Sequence, residues 1–320
     1  MPIRVERGLP GPGSRPGGPP ATVTIGNFDG VHLGHRAPLE VVVARARRGG
    51  GEAAVVTFDP HPRCVLQPER CPPMITTIEE RADLLEEAGV DRLVVLPFDL
   101  ETSRWPAEHF CDRLLTAFAL RSLVVGPDFA LGHRRRGDVA FLTDWGRAHG
   151  IEVAVVEPLR DATAEPVSST RIRAALAAGD VELAGRLMGR PWFIEAAVEH
   201  GEKRGRSLGY PTANLAVPAG KEIPGRGIYA CRVRVGERWW MAATNVGTRP
   251  TFGGDHLTVE PYLLDFAGDL YGATVRCDFV ARLREERTYA TAEELTAQIA
   301  RDVDETRRLL GAPTGPAADQ

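Results

Sequence analysis

Between Ala21 and Val156 short apolar runs alternate with segments of helical spacing, and this alternation leaves the first half of the chain few architectures. The runs Ala21–Ile25, Ala53–Phe58, Asp91–Leu96, Arg121–Val125 and Ile151–Val156 read as buried strands. Between the first two, Leu39, Val42, Val43 and Ala46 keep one helical face until Gly49-Gly50-Gly51 stops it. Thr77 and Glu80 form a capping box for a helix running to Gly89, and Pro106 suits the first turn of a helix extending to about Ala119. A further helix is expected over Gly137–His149. Strands alternating with helices build a parallel sheet covered on both faces, with ligands at the carboxyl ends of the strands. Residues 8–20 are mostly Gly, Pro, Ser and Arg, so order is expected to begin near Ala21.

Four motifs fall at those strand ends. Gly26-Asn27-Phe28-Asp29-Gly30-Val31-His32-Leu33-Gly34-His35 joins the first strand to a helix. A helix start offers unpaired N–H groups and the positive end of a dipole, which suits phosphate. Two imidazoles three residues apart can add donors, and Gly34 would let a nucleotide approach the backbone. Alone, the His-x-Gly-His pattern reads equally as a turn with two solvated histidines; zinc is weaker, since two further ligands are missing nearby. Asp59-Pro60-His61-Pro62 and Gly126-Pro127-Asp128-Phe129 follow the second and fourth strands. Ser168-Ser169-Thr170-Arg171-Ile172-Arg173 follows the fifth and opens a helix. In isolation it is a helix cap, but its hydroxyls and Arg173 could also meet a leaving pyrophosphate.

The pattern changes at Gly189-Arg190-Pro191, where a domain boundary is expected. Strand-like alternation follows at Trp192–Val198, Ile228–Val235, Trp239–Ala243 and Thr274–Phe279, with Gly236-Glu237 as a hairpin turn. Closely spaced strands without intervening helices indicate an antiparallel barrel, and Thr291 to Glu294 caps a long helix that closes it. Three strings here could carry chemistry: the glycine-rich basic loop Gly201–Asn214, ending in Pro211-Thr212-Ala213-Asn214; Asn245–Phe252; and Thr258-Val259-Glu260-Pro261-Tyr262. By itself the first reads as a plain turn as often as a nucleotide site, the second as an exposed turn, and Glu260 as a solvated strand face.

A chain of 320 residues can bury two cores. Net charge −4 and pI near 6.1 argue against a nucleic-acid or membrane-surface partner. Arg45–Arg48, His133–Arg136 and Lys203–Arg206 are basic clusters, of which the latter two flank glycine-rich motifs. Five widely spaced cysteines suggest neither a disulfide framework nor a metal knuckle, hence a reducing compartment. With no long apolar run and no secretory segment, the cytoplasm is the expected location.

In order and spacing, GNFDGVHLGH, DPHP, the VG-x-DF loop, SST-x-x-R, PTAN and the VE segment resemble the bacterial bifunctional riboflavin kinase/FMN adenylyltransferase (FAD synthetase) family from about Ala21 to Leu310. The resemblance implies an α/β, Rossmann-like nucleotidylyltransferase domain with a parallel sheet over residues 1–188. It implies an antiparallel β-barrel riboflavin kinase domain with a C-terminal helix over 189–320. Catalytic roles would fall to His32, His35 and Arg173 in one domain and to Glu260, as base, in the other. Gly26, Phe28, Gly34, Ser169 and Thr170 would bind one ATP, and Gly209, Thr212 and Asn214 a second, with Thr212 and Asn214 also on Mg2+. Asp128 and Phe129 would form the flavin side. The partners implied are riboflavin, FMN, FAD and ATP, with any self-association transient. Rival readings are a nucleotidylyltransferase for another acceptor and a flavin-binding protein without turnover. Pro38 in the helix after HxGH, tolerable in its first turn, Leu131 at an aromatic position, Ala196 at a glycine position and the lack of Lys in the first half depart from the family pattern.

Overall fold

The computed structural model describes residues 2–11, 17–157, 159–161, 164–200, 209–251 and 254–311, with only the backbone course described for 249–251 and 254–256. Cα packing divides the chain into Met1–Ser168 and Ser169–Gln320.

The first unit runs β1 (Arg4–Arg7), β2 (Pro20–Ile25), α1 (Leu33–Arg48), β3 (Glu52–Asp59), α2 (Pro62–Leu66), α3 (Ile78–Glu87), β4 (Arg92–Pro97), α4 (Ala107–Ala117), β5 (Ala119–Val125), β6 (Ala130–Leu131), β7 (Gly137–Asp138), α5 (Val139–His149) and β8 (Glu152–Val155). Its main sheet has the order β1-β4-β3-β2-β5-β8, and all its pairs are parallel. Alternation along β5 sorts the two faces. Leu123 and Val125 pack with Phe110 and Leu114 of α4 and Leu142 and Trp145 of α5. Val124 packs on the other face with Val42 and Ala46 of α1. Each such aliphatic side chain stabilises the unit by about 1.5–3 kcal/mol when fully buried. The capping box at α3 forms as expected, with Thr77 accepting from Glu80 N and Glu80 from Thr77 N.

Three expectations are corrected in this unit. Order begins before Ala21, because Arg4–Arg7 pairs in parallel with β4. Four residues reading RVER show no apolar period; ion pairs hold the strand instead, from Arg4 to Glu52 at 2.8 Å and from the buried Arg92 to Glu6 at 2.7 Å and Glu52 at 3.2 Å. Pro38 lies in the second turn of α1, not the first, since the helix starts at Leu33. It lacks the N–H that would bond the Gly34 carbonyl. Finally, Cys64 and Cys71 are joined by a disulfide, because the turn after α2 doubles back on it. The cluster Arg45–Arg48 is a structural face: Arg45 pairs with Glu152 at 2.6 Å and Arg47 with Asp91 at 2.6 Å.

The second unit runs α6 (Ser169–Ala177), α7 (Val181–Met188), β9 (Trp192–Glu199), β10 (Asn214–Leu215), β11 (Gly227–Val235), β12 (Arg238–Thr251), β13 (Gly254–Leu263), β14 (Thr274–Arg284) and α8 (Ala292–Leu310). The sequence sets its boundary after residue 188, whereas α6 and α7 cluster with this unit; Glu182 of α7 accepts from the Arg282 N–H of β14 at 3.3 Å. The sheet order is β10-β9-β14-β11-β12-β13 with every pair antiparallel. Trp192, Tyr229, Cys231, Thr244, Val246, Cys277 and Phe279 are buried in it. On the other face Met241 and Ala243 pack with Val303 and Leu310 of α8. Thr291 caps that helix, and Asp302 accepts two bonds from Arg284 at 2.9 and 2.6 Å. The two edges of the sheet meet, because Ala213 N–H, beside β10, donates to the Pro261 carbonyl of β13 at 2.9 Å. That bond makes a nearly closed barrel.

Candidate active sites

In the first unit the sheet order reverses direction at β2, with β3 on one side and β5 on the other. A crevice therefore opens at the carboxyl ends of these strands. The turn after β2 takes φ of 47° at Phe28 and 37° at Val31, left-handed values that a side chain tolerates only where the surroundings enforce them. Asp29 enforces them. Its buried carboxylate accepts from Ile75 N at 3.1 Å, Thr76 N at 3.0 Å and Arg81 Nη2 at 3.4 Å. Thr57 Oγ1 accepts from Arg81 and donates to the Asn27 carbonyl at 2.8 Å, which fixes the start of the same turn. Sequence reading passed over Asp29, Thr57 and Arg81, since their partners are remote in the chain. A buried Arg and Asp in mutual contact had no local signature.

So held, the turn delivers His32 as the N-cap of α1 and His35 inside its first turn. The two rings stack with centroids 3.6 Å apart, and Phe28 lies 4.9 Å from the ring of His35. Gly34 is needed for a reason beyond nucleotide approach. A Cβ there would stand 2.6 Å from the Val167 carbonyl and 3.0 Å from the His32 ring. Two imidazoles and a helix N-terminus facing one volume can hold phosphate oxygens and stabilise charge that develops on them.

Beside this turn lies a cavity of about 620 Å³, lined by Gly26 and Asn27 from β2's end, Phe58 and Phe110, and Asp128 and Phe129 after β5. It is aromatic enough to sandwich a flat ring system, with polar groups at its edge. Asn27 contacts His61 Nε2 at 3.0 Å, while His61 Nδ1 accepts from Arg63 N–H at 3.1 Å and so caps α2. This pairing ties the DPHP turn to the end of β2. Leu131 is buried in the α4 and α5 core as well as lining the cavity, so the departure at this position serves packing. Arg134 and Arg135 line its edge with φ of 56° and 59°, and Arg135 Nη2 donates to the Asp128 carbonyl at 2.7 Å.

In the second unit Ser169, Thr170 and Arg173 lie at the start of α6. The barrel seam brings the other motifs together. Ala213, buried, bonds Pro261; Thr212 and Asn214 flank Ala213, and Glu260 precedes Pro261, all three half-buried. Val259 next to Glu260 is fully buried, so Glu260 takes the opposite face, as alternation requires. Tyr210 and Tyr262 pack edge to face at 5.2 Å across the same seam. Gly209 has φ of 83°, and residues 201–208 of the basic loop, with Lys203–Arg206, lie outside the described residues, as does Phe252. The string from Asn245, read by itself as a turn, lies in β12 as far as Thr251, and Asn245 joins Glu260: it is the direct cross-strand partner, and the Asn245 Oδ1 is buried without a hydrogen-bond partner. Gly247, two residues on, leaves room for both Asn245 and Glu286, whose Nδ2 and Oε1 lie 3.0 and 2.7 Å from where its Cβ would be.

The sequence model of the FAD synthetase family matches residues 17–171, and that of the riboflavin kinase family matches 188–310. The bifunctional riboflavin kinase/FMN adenylyltransferase of Pseudomonas fluorescens is 41% identical, over 91% of this chain and 93% of its own. That of Escherichia coli (strain K12) is 37% identical, over 90% and 92%. A solved structure described as a macrolide-efflux protein from Streptococcus pneumoniae is 30% identical, with a TM-score of 0.85 over 95% of this chain and 99% of that one. Among the described residues of the present chain no helix is long and apolar enough to cross a membrane. Two family models in tandem, and relatives matched almost end to end, agree with a parallel-sheet unit followed by a barrel: the chain belongs to the bifunctional riboflavin kinase/FMN adenylyltransferase family.

Proposed function

We propose that the barrel unit phosphorylates riboflavin to FMN with ATP and that the parallel-sheet turn and cavity serve the adenylylation of FMN to FAD. The division of labour between the two parts of the chain is carried by one observation: the Ala213–Pro261 bond sets Thr212, Asn214 and Glu260 at one seam of the barrel, far in sequence from the stacked His32 and His35.

In the kinase step Glu260 accepts the proton of the ribityl 5′-hydroxyl as that oxygen attacks the γ-phosphorus of ATP, and ADP leaves. Thr212 and Asn214 supply a hydroxyl and an amide oxygen, hard donors that fit Mg2+. When bound, the ion neutralises phosphate charge, and positioning does most of the rest. In the second step an FMN phosphate oxygen attacks the α-phosphorus of a second ATP, and the α–β bridge breaks to release pyrophosphate. His32 and His35 donate to phosphate oxygens as charge builds; Gly26, Phe28 and Gly34 shape the nucleotide side, and Ser169, Thr170 and Arg173 meet the leaving pyrophosphate. Asp128 and Phe129 hold the flavin in the aromatic cavity. This reading places the activity in the cytoplasm, where ATP is at hand.

The test is chromatographic. Purified protein with riboflavin, ATP and Mg2+ is expected to form FMN first and FAD afterwards. Unchanged riboflavin would overturn the kinase assignment, and added FMN that never becomes FAD would overturn the second.

A further inference from the structure

Three of the five cysteines are buried: Cys111, Cys231 and Cys277. Burial pushes the Cys111 thiol up to about 12 and raises that of Cys231 well above its ordinary value, so Cys111 and Cys231 stay protonated and inert. Cys64 and Cys71 differ in every respect. Cys71 is exposed, Cys64 is half-buried, and the two are bonded across a sequence separation of 7.

The position of this bond is what matters. Cys64 sits in α2, whose Pro62 and Leu66 line the aromatic cavity on either side of it in sequence. Its capping residue, His61, contacts Asn27, another lining residue. Cys71 closes the short turn Pro68–Arg70 that follows α2. No residue of α2 is buried, so core packing does little to hold this wall. The His61 contact fixes one end of it and the disulfide fixes the other.

We propose that Cys64 and Cys71 form a thiol–disulfide modification site that sets how firmly this wall is held and thereby how tightly the cavity takes FMN. The proposal rests on the assignment of the cavity to flavin. The co-reactant is a dithiol reductant. One of its thiolates attacks the exposed Cys71 sulfur; the bond between the two cysteine sulfurs breaks, and Cys64 leaves as a thiolate that takes up a proton. The second thiol of the reductant then attacks the mixed disulfide, releases Cys71 as a thiol, and completes a disulfide in the reductant. Two electrons and two protons pass to the protein, and the loop from 64 to 71 is opened.

The experiment uses the full chain, air-oxidised or treated with dithiothreitol, with alkylation and peptide mass mapping to read the state of both cysteines. FMN binding is followed by fluorescence quenching. Reduction is expected to raise the FMN dissociation constant about three- to tenfold, the scale of releasing one short loop. The double variant Cys64→Ser with Cys71→Ser should bind like the reduced protein and ignore the reductant, while FMN formation from riboflavin stays unchanged in all forms. Absence of the cross-link in oxidised protein, equal or tighter binding after reduction, or a double variant that still responds overturns the proposal. Failure to bind FMN in either state overturns the flavin assignment of the cavity instead.

Discussion

The two units build their sites in opposite ways. In the parallel sheet the turns carrying His32 and His35, His61, and Asp128 and Phe129 each follow their own strand, and the sheet only has to line those ends up. In the barrel the candidate residues come from separate strings: Thr212 and Asn214 flank Ala213 beside one sheet edge, Glu260 precedes Pro261 at the other, and the Ala213–Pro261 bond joins the two edges. The first design depends on local backbone geometry, and the second on closure between distant segments. Damage should therefore spread differently in the two.

The largest effects test whether the two sites are separate. His32→Ala with His35→Ala should lower FAD formation from added FMN by about a thousandfold, since both donors to the phosphates go, while the kinase keeps working. Glu260→Ala should produce the mirror image, losing FMN formation by a similar factor and sparing adenylylation. Timed separation of the flavins reads both, and loss of both activities in either variant would break the comparison.

Closure itself is tested by Ala213→Pro, which removes the N–H that joins the barrel edges. Kinase activity should fall about ten- to a hundredfold, with a loss of about 1–3 kcal/mol from the barrel's denaturant transition. An unaffected kinase would mean that something other than the seam holds Thr212 and Asn214 against Glu260. The local design is tested by Gly34→Ala, whose Cβ would meet the Val167 carbonyl at 2.6 Å. Adenylylation should drop at least tenfold and the first unit lose about 1–3 kcal/mol, with barrel chemistry intact.

The smallest effect is structural. Asp91 is pushed up by burial, but this is outweighed by hydrogen bonds from Arg47 and from Ala53 N–H together with the Arg47 charge, and its acidity ends below the ordinary carboxylate range. Its stabilisation is thus present above its unfolded pKa and is lost as pH falls through the lowered folded value. The side chain is 37% exposed, so solvent screening limits the gain to about 0.5 kcal/mol. Asp91→Asn should remove that acid-dependent increment from the first unit and leave the barrel's pH profile alone.

Much of the first unit was legible because its signals are local. The capping box at Thr77 and the strand ends carrying Gly26, Asp128 and Phe129 each depend on a few neighbouring residues, as does the start of α6 at Ser169 in the second unit. The edge strand Arg4–Arg7 escaped because charge pairs, not an apolar period, hold it. Asp29 and Asn245 lie inside strings the sequence marks out, but their individual roles escaped for a related reason. One organises the His32 turn through Ile75, Thr76 and Arg81, and the other joins Glu260 by strand register, partners that spacing along the chain does not reveal.

By itself, then, the sequence determined which elements form, which family motifs they carry, and that parallel-sheet periodicity gives way to a barrel. Those features rest on backbone propensity, capping and side-chain alternation over a few residues. Only the tertiary structure decided that α6 and α7 cluster with the barrel, that Cys64 reaches Cys71 beside the cavity, and that the barrel closes with Ala213 on Pro261. Each of these joins segments whose approach must offset loop-closure entropy, and that balance is set by the packing of the whole unit rather than by any stretch of it.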